Sequence, residues 1–327
     1  AGKAGFAPCP RRLAKTLGSV ELRPNVFRVN GSNADATNGT VEWMPQKSLW
    51  FGFHLLVAVI GGVLTFSWLA LVVCLVLTYI TLLFGHSVGM HRRLIHRTYE
   101  THPILDGFLI YLGVIVGMAG PLGILRIHDI RDWAQRLPEC HDFFSHRRNL
   151  VTDAFWNLNC QFKFENPPEF IFEEETRSNR WIQFLEKTWM LQQIPIAIIL
   201  FLVGGIPLVV WGISVRIVLS VAGHWVITYI THNPGPGNWL VPEAGVQASN
   251  LPGWGFLTMG ERWHNNHHAF PESARIGFKG QFDPGWLVIR WMRNRGIAWN
   301  VGEPRPKEAR ADLAPIHSAY IHGKDTA

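Results

Sequence analysis

Charge is scarce in this chain. Only 17% of its 327 residues are Asp, Glu, Lys or Arg, against about a quarter in an ordinary soluble domain. Cysteine is scarcer still: Cys9, Cys74, Cys140 and Cys160 are the only four, and none are in CxxC spacing. That argues against a disulfide framework, a thiolate metal site and an iron–sulfur cluster. No GxGxxG opens a helix after a strand, so no dinucleotide-binding unit is expected. No HPGG haem-binding motif occurs, and no basic block is interleaved with aromatics. The net charge of +6 therefore fits a basic surface facing a membrane or an acidic partner better than a nucleic-acid site. The first forty residues carry no apolar h-region of the kind that marks a secretory signal.

What the chain has instead is grease. Hydrophobic residues make up 48%, and there are 15 tryptophans. A bilayer core needs roughly 20 apolar residues of helix. Residues 49 to 66, "LWFGFHLLVAVIGGVLTF", and 67 to 85, "SWLALVVCLVLTYITLLFG", read as one helical hairpin. Residues 189 to 223 read as a second, turning near Gly204-Gly205-Ile206-Pro207. Neither turn carries charge; Lys and Arg crowd before residue 48, between 91 and 187, and after 262. The positive-inside rule then puts both termini and the central loop on the cytoplasmic or equivalent side. The run from 104 to 125 is read as a helix buried against the membrane surface. The expected organisation is a polar segment over 1–47, a first hairpin with its histidines over 48–100, and a cap segment over 101–187. A second hairpin over 188–230, further cap over 231–300 and a polar tail over 301–327 complete it. The fold class expected is all-α integral membrane, with four transmembrane helices in two hairpins and a helical cytosolic cap carrying a histidine-rich dimetal site.

The histidines concentrate where these spans meet the cap. "HSVGMHRRLIHR" carries His86, His91 and His96, "RIHDIRDW" carries His128 and Asp132, and "SVAGHW" carries His224. "ERWHNNHHAF" puts His264, His267 and His268 into five positions. On a helix the last three share a face as an i, i+3, i+4 set. His91 and His96, at i, i+5, would stand about 140° apart on an α-helix and reach a site from two sides. Imidazole suits iron, copper and zinc, and this many rings exceed the needs of one four-coordinate ion. Two metal ions sharing the set is the natural reading. His54, His102, His317 and His322 are read as ordinary surface or core histidines; His141 and His146 stand between the two classes. Arg216, within the last span, should face a partner or a polar cavity.

"GMHRRLIHRTYE" and "GERWHNNHHAFPESARIGF" resemble the first and last histidine boxes of the acyl-CoA desaturase family of membrane enzymes. The resemblance covers roughly residues 48 to 292. It implies two iron ions (Fe2+) in a cytosolic cap, O2 as co-substrate, and insertion of a cis double bond into a long-chain fatty acyl substrate. On that basis His91, His96, His128, His224, His264, His267 and His268 are the expected metal ligands. The middle box departs from the family's HxxHH: Arg131 and Asp132 stand where two histidines are expected, and Ser220 stands where the family has Asn. Asp132 can still offer a carboxylate, with His86 or His141 as further ligand candidates; Arg131 has no free lone pair. Removing hydrogen from a methylene needs an oxidant that side chains do not supply. The acyl chain should be held in an apolar tunnel lined from 104 to 125, and Trp225, Trp254 and Trp263 are candidates to shape the site. Electrons should come from a separate donor, a small cytochrome or ferredoxin. A hydroxylase on the same scaffold and a non-catalytic accessory subunit are the alternatives.

Overall fold

The structure is a computed structural model that describes residues 28–253, 255–278, 280–304 and 314–315. Trp254, His317, His322, Cys9 and most of the expected polar segments at either end lie outside the described residues. The order of helices is α1 Pro45–Leu64, α2 Trp68–Ile95, α3 Pro103–Ile115, α4 Pro121–Arg136, α5 Asp142–Ser145 and α6 Leu150–Asn159. Then come α7 Glu174–Ser178, α8 Arg180–Thr188, α9 Gln193–Thr231, α10 His264–Ala269 and α11 Pro284–Asn294. The all-α expectation needs a small correction, because short antiparallel two-stranded ribbons accompany the helices. The longest pairs Gly39–Trp43 with Cys160–Phe164, over a cluster containing Ala36, Ala134 and Phe144.

α1, α2 and α9 are long and apolar enough to cross a membrane. Many of their apolar side chains are exposed, with Val63, Leu64 and Leu202 each more than three-quarters exposed; water would penalise such exposure and lipid would not. α9 is not one rod. Gly204 and Gly205 leave helical geometry, Gly205 with φ +68°. Leu200 Cδ1 lies 2.5 Å from where a Cβ on Gly212 would stand. In a straight helix residues twelve apart are about 18 Å apart, so the chain folds back on itself at the glycine pair.

α3, with 13 residues, is about 20 Å long and too short to span. It packs closely on α2: a Cβ on Gly85 would come within 2.3 Å of Gly113 N, and one on Gly89 within 2.6 Å of Leu109 O. Small residues are what allow that approach. The end of α3 explains the buried cation in α9. Arg216, fully buried, donates from Nη1 to Ile115 O at 2.7 Å, from Nη2 to Gln193 Oε1 at 2.6 Å and from Nε to Gly212 O at 2.7 Å. Trp50 Nε1 donates to Gly117 O at 2.9 Å. Carbonyls left open where α3 stops are thus satisfied by side chains of the long helices, as a buried helix end requires.

Candidate metal centre

The last fifteen residues of α2, Thr81–Ile95, are wound as a π-helix. The widening corrects the expectation that His91 and His96 would approach from two sides. With i→i+5 hydrogen bonding, His96 N donates to His91 O at 3.0 Å, and residue 96 sits almost directly above residue 91. Their ring centroids are 4.8 Å apart. His128, on α4, approaches from a separate helix, 5.2 Å from His91 and 4.8 Å from His96. His267 closes the set at 4.6 Å from His91 and 4.5 Å from His96. The four offer ligand nitrogens that all lie within 4.8 Å of one another.

The six-residue α10 is the bridge. His267 faces this first group, while His264 and His268 face a second, completed by His232. His264 Nε2 lies 3.2 Å from His232 Nε2 and 3.1 Å from His268 Nε2. Two nitrogens each ~2.1 Å from one ion and 90–109° apart would be separated by about 3.0–3.4 Å. The spacing is that of neighbouring ligands on a single ion. The two asparagines of HNNHH are both buried and lace α10 to its surroundings. Asn265 Oδ1 accepts from Asn238 N and Trp239 N, and its Nδ2 donates to Trp239 O and Ala248 O. Asn266 Nδ2 donates to Ile276 O and Gln281 Oε1.

Carboxylates stand behind the rings, as they do behind metal-binding imidazoles. His91 Nδ1 is 2.8 Å from Glu261 Oε2, and Glu261 also accepts from Ser87 Oγ and Arg92 Nη2. Arg92, 1% exposed, forks onto Asp283 and donates to Ala274 O. Asp283 in turn accepts from Ile276 N, Gly277 N and Trp286 N, which gives the "SARIGF" stretch its structural meaning. His128 Nδ1 is 3.4 Å from Asp129 Oδ1 and 3.9 Å from Asp132 Oδ2. Arg28 holds Asp129 at 2.7 Å and Glu173 at 2.8 Å and donates to Ile95 O, latching the end of α2.

Burial holds His96, His232, His264 and His267 well below the usual imidazole range and His268 at about 4. These rings are neutral at pH 7, the form that ligates. Burial acts on His128 in the same direction, but Asp132 and Asp129 outweigh it and raise that ring. The donor set fits a first-row metal. It is all imidazole, largely buried, and leaves His96 Nε2 and His267 Nδ1 enclosed without hydrogen-bond partners among the described residues, which a metal would relieve.

The other expected residues fall outside the two groups. Asp132 stands beside His128. His224 faces His86, ring centroids 4.8 Å apart, and His86 lies parallel to His91 at 6.4 Å. His141 is away from the centre: its Nδ1 accepts from Phe143 N, and its ring packs on Phe162 and Trp156. Trp225 Nε1 donates to the buried Asp153, and Trp263 Nε1 to Phe282 O. His232 escapes the sequence reading because it stands alone, in no box. Its only signal is its place eight residues after His224, just past the end of α9. A cavity of about 1170 Å³ lies between α3 and α8, lined by Ile104, Phe108, Tyr111 and Trp181 together with Arg93 and Glu175; among the described residues no histidine lines it.

Residues 66–276 match the family model described as fatty acid desaturase. The chain is 31% identical over 279 residues to the sn-1 stearoyl-lipid 9-desaturase of Anabaena variabilis, covering 82% of this chain and 96% of that protein. It is 28% identical to the acyl-CoA C20 Delta5-desaturase of Anemone leveillei, over 81% of this chain and 86% of that one. It is 29% identical to the chloroplastic palmitoyl-monogalactosyldiacylglycerol delta-7 desaturase of Arabidopsis thaliana, over 73% of this chain and 64% of that one.

Proposed function

The chain belongs to the fatty acid desaturase family, and from that premise we propose that it desaturates a long-chain fatty acyl substrate at a non-haem diiron centre, with O2 as co-substrate. It is an oxidoreductase acting on fatty acyl chains. The observation that carries the diiron reading is the splitting of one short helix, α10, between two imidazole groups. One ion would be held by His91, His96, His128 and His267, and the other from His264 and His268. A reduced iron pair supplies, with O2, the oxidant that an unactivated methylene demands.

The protein's own residues do the positioning. Glu261 and Asp129 stand beside the Nδ1 atoms of His91 and His128 and would help to orient those rings. The Arg92–Asp283 pair holds α2 against the loops that carry α10, and the close glycine packing of α2 on α3 excludes water from between them. Two helical hairpins, four crossings in all, would anchor the chain, with the cap and both termini on the cytoplasmic or equivalent side. The exposed apolar faces, the fold-back at Gly204–Gly205 and the distribution of Lys and Arg support that arrangement. Electrons would arrive from a separate small cytochrome or ferredoxin at the basic surface.

The test is product analysis. Expression in a host whose own desaturases are deleted, followed by mass spectrometry of total fatty acids, should reveal a new monounsaturated chain that requires O2. His267→Ala should abolish it. A hydroxylated chain with no alkene would overturn the reaction assigned.

A further inference from the structure

The cavity between α3 and α8 stands apart from the imidazole groups, and its place in the fold points toward lipid. α8 ends at Thr188, just before the membrane-long α9 begins at Gln193. α3, too short to cross, turns Ile104 (89% exposed) and Phe108 outward, and Trp181 and Phe184 of α8 stack on each other, both partly exposed. Aromatic side chains at the root of a crossing helix are what a membrane–water interface collects.

The walls combine rings with charges of both signs. Trp181 is firmly seated: its Nε1 donates to Gly107 O at 3.0 Å, and a Cβ on Gly107 would stand 3.2 Å from its ring. Tyr111 lies 6.2 Å from it between centroids, and Trp299, also in the lining, donates from Nε1 to Glu100. Arg93 Nη2 donates to Asp106 Oδ2 at 3.0 Å, and Arg97 Nη2 to Glu175 Oε2 at 2.7 Å. Against these two cations the cavity sets three carboxylates, Glu100, Asp106 and Glu175. Burial raises the Asp106 carboxyl; Arg93 and Arg97 act against the rise and Glu175 adds to it. Arg93 Nε and Asp106 Oδ1 are enclosed without hydrogen-bond partners among the described residues. A donor and an acceptor are thus left unmet at the wall, each at a cost.

We infer that this cavity binds the zwitterionic headgroup of a bilayer phospholipid, whose acyl chains lie along the apolar lip of α3 and α8. A headgroup ammonium is the cation that surplus carboxylates and aromatic faces recognise together, and a phosphate is what guanidinium groups take. Charge decides against the alternatives. A purely anionic ligand, such as the phosphates of a nucleotide carrier, would find both arginines already paired and would meet three carboxylates. An uncharged headgroup would gain nothing from the charges. A zwitterion brings both signs and can exchange partners with each pair, so that no charge is left alone. The site concerns which lipid the protein holds and is independent of the ion at the imidazoles.

Native mass spectrometry of the full-length protein in detergent tests this, with titration of phosphatidylcholine, phosphatidylglycerol or an uncharged galactosyl diacylglycerol. Wild type should bind a first phosphatidylcholine about tenfold more tightly than either of the others. Trp181→Ala and Phe108→Ala should each remove most of that preference; Phe108 is half exposed and has no hydrogen bond to lose, so its truncation leaves the fold intact. Glu175, with its side chain 75% exposed, can be reversed in charge. Glu175→Arg makes the lining cations outnumber the carboxylates and should turn the preference toward phosphatidylglycerol. Equal affinity of wild type for all three lipids, or a preference for either of the other two, would overturn the inference. So would a phosphatidylcholine preference that Phe108→Ala and Glu175→Arg both leave intact, since the lipid would then sit elsewhere.

Discussion

Arg92→Met is the perturbation whose size the structure defines best. The substitution keeps an apolar stem and removes only the guanidinium. Arg92 and Asp283 are each 1% exposed at the side chain, paired at 2.8 Å. Removing one partner of a buried pair costs about 3–5 kcal/mol, because the other charge stays behind. Asp283 keeps three backbone N–H donors, from Ile276, Gly277 and Trp286, which places the cost near the lower end, about 3 kcal/mol. For a chain of a few hundred residues each kcal/mol moves the midpoint by roughly 2–4 °C. Thermal unfolding of metal-free protein in detergent, followed by circular dichroism, should therefore show a fall of about 6–12 °C. Arg92→Lys, which restores charge but not the two-pronged geometry, should fall between. Because Glu261 loses the same partner and stands behind His91, iron content should drop as well. A shift of less than about 2 °C would refute the claim that this pair ties α2 to the loops around α10.

Gly89→Val should prevent α3 from seating, since a Cβ there would already meet Leu109 O at 2.6 Å; protease sensitivity of α3 in detergent would rise, and unchanged resistance would contradict the packing. The Arg28 latch makes a pH prediction. Burial would raise Glu173, but its hydrogen bond and ion pair with Arg28 lower it overall. Its stabilising contribution is then complete above the unfolded carboxyl value, about 4.3, and is lost as pH falls through the lower folded value. Unfolding midpoints measured between pH 7 and 3 should converge for wild type and Arg28→Ala at the acid end; a constant gap would refute the linkage. Arg216→Leu should destabilise by about 3 kcal/mol despite its apolar replacement, because Gln193 Oε1 loses its Arg216 donor, Ile115 O is left with Gln193 Nε2 alone, and the fit of α3's end is lost. An unfolding midpoint equal to wild type would contradict it.

Much of this was legible in the sequence because it is periodic or local. The apolar runs give the long helices, Gly204-Gly205 gives the fold-back, and the histidine boxes give the residues of the first imidazole group. What was not legible depends on geometry that composition does not encode. The angle between His91 and His96 depends on one extra residue per turn, and no pattern in "HSVGMHRRLIH" announces a π-helix. His232 belongs to no box and joins the site through the position at which α9 ends. The partner of Arg216 is a set of backbone carbonyls and one glutamine, groups that a search for opposite charge passes over. Glu261 and Asp129 could have been found, each lying beside a box in the chain, had the rings been asked what stands behind them.

The central claim is a pair of irons bridged by one short helix. Mössbauer spectroscopy of wild-type protein grown in 57Fe, with iron and protein quantified on the same sample, tests it most directly. The account predicts two irons per chain whose spectra respond to each other, so that His267→Ala removes one and alters the signal of the other. One iron per chain, or two that are magnetically independent and unaffected by the loss of a neighbour, would contradict it.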